Sequence, residues 1–207
     1  MKLPSEYYTN TDVLFLAEDL LGKILYTEIE GDITAGIIVE TEAYFGVEDK
    51  ASHAYQNRRT GRTEILYKRG GLAYIYLCYG IHHLLNVVTS VEDDPKCVLI
   101  RSIEPFYGIA EIEFRRKMSS MKPSISTGPG SLTKALGVDL SLNGNDLTEN
   151  CIWIEDQGIR YKPSQISKAP RIGIDYADEH ALLPLRFFIN DSTYVVKKET
   201  KLKTKML

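Results

Sequence analysis

The stretch from residue 72 to residue 89 constrains the fold most, because it consists of two strand-forming runs separated by a short turn. The first run, Leu-Ala-Tyr-Ile-Tyr-Leu-Cys-Tyr over residues 72–79, combines aromatic and aliphatic residues that are typical of strands. Gly80 follows, and a second apolar run covers residues 81–89. Two strands joined by a tight glycine-containing turn predict a β-hairpin, with Tyr79 at or near its tip.

Most other strand signals in the chain are also joined by turns and not by repeated helical crossovers. Asn10 or Thr11 can cap the first predicted helix and Gly22 can end it, while Glu104-Pro105 marks the end of a strand. Helices are predicted over residues 12–21, 107–118 and 128–136, strands over residues 23–29, 33–44, 97–103, 151–155 and 185–189, and a loop with a short helix over residues 45–71. This order favours an α+β fold. We expect a single domain over residues 1–207 with a curved, mainly antiparallel sheet, flanking helices and the protruding hairpin.

The composition is that of one globular domain: 207 residues, 43% of them hydrophobic and 26% charged. No apolar run approaches the roughly 20 residues of a membrane span, and we expect neither a signal peptide nor a membrane contact. The three cysteines, Cys78, Cys97 and Cys151, are far apart, which indicates reduced thiols in an intracellular protein. The compartment would be the cytoplasm in a bacterium or the nucleus in a eukaryote. The histidines and cysteines form no zinc pattern, so no metal site is predicted.

The distribution of charge is more informative than its sum. The net charge of −3 gives no support for binding to nucleic acid. A basic group nevertheless lies between residues 57 and 70, and lysines recur in the C-terminal tail over residues 197–207. Even on a protein with a negative net charge, such a local patch can contact phosphates. The lysines of the tail are equally consistent with a solvated chain terminus. The basic group consists of Arg58, Arg59, Arg62, Lys68 and Arg69.

The sequence Val-Glu-Thr-Glu-Ala-Tyr over residues 39–44 places two carboxylates and an aromatic ring at alternate positions. On a strand, alternate side chains share a face, so Glu40, Glu42 and Tyr44 are predicted to point the same way. A carboxylate that activates water, next to a ring that stacks on a flat substrate, is a plausible catalytic pair. The alternative is that these glutamates lie on the solvated face of an amphipathic strand.

Several short motifs, in register over about residues 19–196, resemble the alkyladenine (3-methyladenine) DNA glycosylase family. Each motif is weak alone, but their common order makes the resemblance specific. They are Val39-Glu-Thr-Glu-Ala-Tyr44, Glu48-Asp49 followed by His53, Ala73-Tyr-Ile-Tyr-Leu-Cys-Tyr-Gly80 leading to Asn86-Val-Val, Cys97-Val-Leu-Ile-Arg-Ser-Ile-Glu-Pro105, Ser126-Thr-Gly-Pro-Gly-Ser-Leu-Thr-Lys-Ala-Leu136, Pro170-Arg-Ile-Gly-Ile174 and Pro184-Leu-Arg-Phe187.

The resemblance implies a monofunctional DNA glycosylase of base excision repair, without a metal or other cofactor, that acts as a monomer on double-stranded DNA. It would hydrolyse the bond between a damaged purine and deoxyribose. The expected bases are 3-methyladenine and 7-methylguanine, with hypoxanthine and ethenoadenine as further candidates. Because a stacked base is inaccessible, the nucleotide must be flipped into a pocket, and by resemblance Tyr79 fills the gap that it leaves. The plain alternative for Tyr79 is a turn residue without a partner.

The resemblance also assigns roles within the pocket. Glu42 would be the general base that deprotonates water, with Arg101 beside this water and the target phosphate. Asn86 would exclude guanine by clashing with its 2-amino group, and Ile172 would contact the base through its backbone. Without the family, Arg101 reads as a salt-bridged strand residue and Asn86 as an amide satisfied within a strand. The base pocket would be formed by Tyr44, His53, Tyr76, Asn86 and Ile172. The aromatic rings among them suit a cationic purine.

Two other functions compete with this one. A non-catalytic nucleic-acid-binding module could keep the same pocket, but binding alone does not need a carboxylate near the sugar. A metal-dependent hydrolase could use Glu40, Glu42, Glu48, Asp49 and His53, and a chelator would inactivate only that enzyme. The sequence leaves open whether Glu40 is structural or assists Glu42. No second catalytic acid is evident, so we expect cationic bases to be released faster than neutral ones.

Overall fold

Antiparallel pairing of eight strands organises the described part of the chain, residues 1–195 of a computed structural model. The lysines of the tail lie outside the described residues. Along the sheet the strands run in the order β3, β4, β5, β2, β1, β6, and β8 pairs with both β2 and β7. The strands are β1 (Ile24–Ile29), β2 (Asp32–Tyr44), β3 (Ala73–Cys78), β4 (His82–Thr89), β5 (Lys96–Tyr107), β6 (Ile152–Glu155), β7 (Ile166–Ala169) and β8 (Arg186–Ile189). The predicted α+β fold with a curved antiparallel sheet is confirmed.

The central strand β2 holds the sheet together, because it has partners along both edges. One edge pairs with β5, and the other pairs first with β1 and then with β8. The pairing with β5 contains three register shifts, two of them next to Glu40: Ile38 faces Ile103, Glu40 faces Ser102 and Thr41 faces Ile100. One residue on each strand, Val39 and Arg101, is therefore left without a partner residue, as in a β-bulge. Bulges bend strands and redirect side chains, often beside active sites.

The described residues form four α-helices, of which the last three pack on the sheet: α1 (Ser5–Tyr8), α2 (Val13–Asp19), α3 (Ile109–Arg116) and α4 (Pro129–Leu136). Helix α2 packs on β2 and β5 with Leu16 and Ala17 buried, and α4 packs on β4 and β5 with Leu132 and Leu136 buried. The Thr41 hydroxyl donates a hydrogen bond of 2.6 Å to the Ala17 carbonyl, so Thr41 points toward the helices. Glu40, Glu42 and Tyr44 point to the other face, as predicted.

The hairpin of β3 and β4 is confirmed, with Tyr79 in its turn. The backbone N–H of Ile81 donates to the Cys78 carbonyl at 3.1 Å, and φ is +51° at Tyr79 and +73° at Gly80. Positive φ at both central residues is the geometry of the tight turns that suit hairpins. The same geometry is uncommon for an aromatic residue, which makes Tyr79 a position where backbone strain is tolerated.

Three details of the sequence prediction were wrong. The first long helix is capped by Asp12, whose carboxylate accepts from the Phe15 N–H, and not by Asn10 or Thr11. Strand β5 does not end at Pro105 but continues to Tyr107, because Pro105 faces Gly36 at a register shift where a ladder N–H is not required. The short strand β7 was not predicted, since its four residues carry no clear alternation. The segment 45–71 is mostly loop, as predicted, with short 3₁₀ turns at Gly46–Glu48, Tyr55–Asn57 and Glu64–Tyr67.

No helix in residues 1–195 is long and apolar enough to cross a membrane. The cysteines, all within this range, form no disulfide: Cys97 is buried, Cys78 is partly buried and Cys151 is exposed.

Helix α1 is joined to the base of the hairpin, where Gly70 precedes β3 and Ser90 follows β4. The N–H of Gly70 donates to the Ser90 carbonyl at 2.9 Å, and the N–H of Ser90 donates to the Tyr8 carbonyl at the same distance. A Cβ atom added at Gly70 would overlap the Tyr8 carbonyl oxygen, which is backbone and cannot rotate away. This contact therefore requires glycine for close approach, independently of any special φ angle.

We expect Gly70→Ala to lower the free energy of unfolding by about 3 kcal/mol, at the upper end of overpacking costs. Gly61→Ala is the matched control, because no atom lies within 4 Å of a Cβ built there. It should change stability by less than about 0.5 kcal/mol. Urea unfolding of both variants measures the difference, and equal stability of the two would contradict the steric argument.

Candidate active site

A cavity of about 580 Å³ opens on the face of the sheet that carries Glu40 and Glu42. Its walls come from the β3–β4 hairpin, from β5, from loop segments at residues 51–53 and 172–174, and from the N-terminal end of α4 at residues 128–131. This size and mixed aromatic and polar lining are typical of a small-molecule site. The residues predicted for the base pocket all line the cavity, together with a predicted catalytic arginine, the turn tyrosine and one residue of the basic group: Tyr44, His53, Tyr76, Asn86, Ile172, Arg101, Tyr79 and Arg62.

Glu42 lies directly behind this wall and is fully buried. Its Oε1 accepts from the backbone N–H of Ile172 at 2.8 Å and pairs with Nη1 of Arg101 at 3.2 Å. Its Oε2 accepts from the Tyr44 hydroxyl at 2.8 Å. All three contacts are donors, which suits an ionised carboxylate. The burial of Glu42 and Glu40 excludes the alternative in which these glutamates face solvent.

The Tyr44 ring is fixed from two sides. Burial and the adjacent Glu42 charge raise the pKa of Tyr44 well above its usual range, so the hydroxyl stays a neutral donor. The Arg171 guanidinium lies 4.6 Å from the centre of the ring, within cation–π distance. The ring of Tyr44 is therefore available to the cavity in a fixed orientation.

Arg101 bridges the two buried carboxylates. Its Nε donates to Glu40 Oε1 at 3.2 Å while Nη1 pairs with Glu42. Burial alone would lower the pKa of Arg101, but the Glu42 and Glu40 charges outweigh it and raise the pKa. Glu40 is itself paired with Arg186, from Nη1 to Oε1 at 2.8 Å, and accepts from the Ser102 hydroxyl at 2.8 Å. Arg101 is thus a salt-bridged strand residue, as its plain interpretation predicts, and its partners are the two buried glutamates.

One wall of the cavity is a cluster of rings. His53 packs edge-on against Tyr76, with 4.6 Å between ring centres, and Tyr74 lies 5.6 Å from Tyr76. Nδ1 of His53 is hydrogen-bonded to the Tyr74 hydroxyl at 2.8 Å. Burial, with the nearby Arg62 and Arg58 charges, lowers the pKa of His53 to about 4, so its imidazole is neutral at neutral pH. Tyr74 was not predicted for the site, although its two-residue spacing from Tyr76 placed it on the same face of β3.

Asn86 is buried in the opposite strand of the hairpin with its amide satisfied on both sides. Its Nδ2 donates to the Tyr74 carbonyl at 3.1 Å, and its Oδ1 accepts a weak hydrogen bond from the Cys97 thiol at 3.9 Å. Burial raises the pKa of Cys97 to about 12, which keeps the thiol protonated. Asn86 is thus both a satisfied strand amide and part of the cavity lining.

The rim of the cavity carries the exposed groups. Tyr79 is 87% exposed and Ile81, two residues further along the turn, is 72% exposed. Within the basic group, Arg62 lines the cavity and lies 5.0 Å from the centre of the Tyr76 ring. Arg59 is bound to Glu64 and Asp93 instead, and Lys68 also pairs with Glu64 at 3.8 Å. Among residues 1–195, Arg58 and Arg69 make no ion pair and are exposed.

A second buried ion pair supports the wall from behind. Arg171 and Asp49 are both fully buried and joined by two hydrogen bonds, and Arg171 also donates to the Ala43 carbonyl at 3.0 Å. The pair holds the segment before Ile172 against the end of β2. Both residues lie within the family motifs, but their separation of 122 positions leaves no local pattern from which this ion pair could be predicted.

In the part of the chain that the structure describes, no group of three or more histidine, cysteine or acidic side chains is arranged to hold a metal ion. The two carboxylates next to the cavity are occupied by arginines instead.

Comparison with known proteins places this arrangement in a family. The sequence profile of the methylpurine-DNA glycosylase (MPG) family matches residues 6–193. A relative from Chlamydia felis is 46% identical over 202 residues, which cover 97% of this chain and all of the relative. Another from Desulfitobacterium hafniense is 42% identical over 204 residues, covering 95% of this chain and 99% of the relative. One from Clostridium botulinum is 45% identical over 206 residues, covering 96% and 100%.

Each of these relatives carries the name "putative 3-methyladenine DNA glycosylase". The match of the family profile extends over nearly the whole described chain, including every residue that lines the cavity. The chain therefore belongs to the methylpurine-DNA glycosylase family and is a DNA glycosylase, a hydrolase of N-glycosyl bonds.

Proposed function

We propose that this DNA glycosylase flips an alkylated purine nucleotide out of duplex DNA into the cavity and hydrolyses the bond between base and deoxyribose. The proposed substrates are 3-methyladenine and 7-methylguanine, with hypoxanthine and ethenoadenine as further candidates. The observation that carries the proposal is the fully buried Glu42, held by three donors directly behind a cavity lined with aromatic rings. The identity of the relatives supports the choice of 3-methyladenine.

In the proposed reaction Glu42 is the general base. Two of the groups that hold Oε1, Arg101 and the backbone of Ile172, also line the cavity, so a water molecule entering between them can reach the carboxylate. Glu42 takes a proton from this water as the oxygen bonds to C1′ of the sugar. The glycosidic bond breaks and its electron pair leaves with the purine, yielding a free base and an abasic site. The negative charge of Glu42 also stabilises the oxocarbenium-like sugar.

Recognition of the base rests on charge and shape. Electron-rich rings attract a cationic alkylated purine through stacking and cation–π contacts, and Tyr44 and Tyr76 supply such rings. A protonated histidine would repel this cation, whereas the lowered pKa of His53 keeps the imidazole neutral. Asn86 would exclude guanine through a clash with its 2-amino group. A cationic base needs no proton to leave, so we expect faster release of 3-methyladenine than of hypoxanthine.

Contact with the duplex is proposed for the rim. Tyr79 would enter the stack from the minor groove and fill the gap left by the flipped nucleotide. Arg58, Arg62 and Arg69 are the members of the basic group best placed to meet phosphates, since Arg59 and Lys68 are already paired with acidic side chains. With few free cations and a net charge of −3, affinity should fall steeply with salt. A monomer is sufficient for this mode of binding.

Glu42→Gln tests the catalytic role. The amide keeps the size of the side chain but cannot accept a proton, so base release should fall by about 10³-fold, within the range for loss of a general base. Single-turnover release of free base would be measured from methylated DNA and from a duplex with one hypoxanthine, both in EDTA. Glu104→Gln, the same change at an exposed position on β5, is the control. No release by the wild-type protein, with binding to DNA intact, would favour the binding module, and activity abolished by EDTA would favour the metal-dependent hydrolase.

Tyr79→Asn tests insertion into the duplex without disturbing the fold, because asparagine tolerates the positive φ of this turn better than most residues. Loss of one stacking ring, worth about 1–3 kcal/mol, should weaken binding of lesion duplex by roughly 5- to 150-fold while Tm stays unchanged. Tyr79→Phe should retain most of the affinity. Tyr107→Asn, at an exposed tyrosine that does not line the cavity, is the matched control. Equal affinity of Tyr79→Asn and the wild type would refute the wedge.

The neutral state of His53 is tested through the pH dependence of stability. Below about pH 6.5 the unfolded chain binds a proton at His53, whereas the folded protein does so only near pH 4. The free energy of unfolding should therefore fall as the pH decreases through this window, by on the order of 2–3 kcal/mol from this residue. Urea titrations at several pH values should show that His53→Gln removes this part of the decline. The exposed His82→Gln should leave it unchanged, and parallel curves for wild type and His53→Gln would contradict a neutral His53.

A further inference from the structure

A second fully buried carboxylate, Glu40, takes no part in the reaction described above, yet it shares Arg101 with Glu42. Its Oε1 accepts hydrogen bonds from Nε of Arg101 at 3.2 Å and from Nη1 of Arg186 at 2.8 Å. Its Oε2 accepts a hydrogen bond from the Ser102 hydroxyl at 2.8 Å. Each of these partners leads to a different wall of the cavity. A side chain in this position can set the geometry of the site without touching the substrate.

The direct connection is through Arg101. With Nε held by Glu40 and Nη1 held by Glu42, the guanidinium plane is fixed at two corners. Within residues 1–195, Nη2 of the Arg101 guanidinium has no hydrogen-bond acceptor. Because Arg101 lines the cavity, this nitrogen can donate a hydrogen bond to a ligand there. A guanidinium fixed in this way presents its remaining donor in one direction, which suits a phosphate oxygen or the attacking water.

The other two connections reach the loops. Ser102 donates to Glu40 and at the same time accepts from the backbone N–H of Gly128 at 2.9 Å, at the start of the segment 128–131 that lines the cavity. Arg186 contacts Glu40 and donates through Nε to the Pro170 carbonyl at 3.1 Å, two residues before the Ile172 N–H that holds Glu42. Through Arg101, Ser102 and Arg186, Glu40 is thus connected to three walls of the cavity.

The β-bulge explains why these contacts are possible. In a regular strand Arg101 and Ser102 would point to opposite faces, but Arg101 has no partner residue on β2, so both side chains turn toward Glu40. The cluster of Glu40, Glu42, Arg101 and Arg186 carries two negative and two positive charges in a buried place. Neutralising Glu40 removes one of the two carboxylates that hold Arg101.

We propose that Glu40 is a positioning residue: it orients Arg101, and with it the approach of substrate to Glu42. The inference rests on the proposed roles of Glu42 and Arg101. It predicts that Glu40 affects the chemical step and not the affinity for DNA, and that its effect depends on the presence of Arg101.

The experiment compares Glu40→Gln with the wild type under single-turnover conditions, on methylated DNA with enzyme in excess. The rate of base release should fall 10- to 100-fold, while the Kd for a lesion duplex, measured by fluorescence anisotropy, changes less than threefold. In an Arg101→Gln background the same substitution should change the rate less than threefold, because the residue it acts through is gone. Glu104→Gln, on the same strand and exposed, should leave rate and affinity unchanged in both backgrounds.

Equal loss of rate in both backgrounds would show that Glu40 acts independently of Arg101 and would overturn the proposal, as would full activity of Glu40→Gln. If Glu40→Gln does not fold, as judged by circular dichroism and Tm, Glu40→Asp is tested in the same two backgrounds. Failure of both variants to fold would make Glu40 a structural residue and also overturn the proposal. An active wild type with an inactive Glu42→Gln, next to an unaffected Glu40→Gln, rejects this inference alone, whereas an inactive wild type rejects the proposed function.

Discussion

The arrangement of the site depends on two carboxylates that are buried away from bulk solvent. Desolvation of an ion costs several kcal/mol unless opposite charges and hydrogen bonds replace the lost water. Here Arg101 and Arg186 supply the charge, and Ser102, Tyr44 and the Ile172 N–H supply further donors. Because these partners come from β2, β5, β8 and the loop before Ile172, satisfying the two glutamates requires most of the fold to be in place.

The position of the two glutamates on one face of the sheet therefore depends on the pairing of β2 with strands on both of its edges. A strand with neighbours on both edges has no freedom to shift its register, since a slip by one residue would turn Glu40 and Glu42 into the hydrophobic layer beneath α2. The buried pair of Asp49 and Arg171 adds a second constraint at the end of the same strand, where Arg171 also packs on Tyr44. Rigidity of the site thus comes from sheet pairing and buried ion pairs together.

The features that could be predicted from the sequence are those set by neighbouring residues or by a periodic pattern along the chain. The alternation of Glu40, Glu42 and Tyr44 gave their common face, and two apolar runs around Gly80 gave the hairpin with Tyr79 at its turn. The cap at Asp12 was missed because Asn10, Thr11 and Asp12 are three consecutive residues of types that can cap a helix. The continuation of β5 past Pro105 was missed because the register shift there depends on the partner strand. Contacts such as that between Glu42 and Ile172, 130 positions apart, leave no periodic trace; only the family resemblance brought these two residues into one site.

The hairpin has a mechanical consequence. Tyr76 in the cavity wall and Tyr79 at the exposed turn belong to one continuous strand and its turn, three residues apart. At about 3.3 Å per residue their backbones are separated by roughly 10 Å, a distance that paired strands do not let vary. In the proposed mode of binding, the hairpin would hold Tyr79 at a fixed distance from the cavity, so the nucleotide that Tyr79 displaces would be the one that enters the cavity. The search along the duplex and the inspection of a base would then be coupled, and a lesion one step out of place would be passed over.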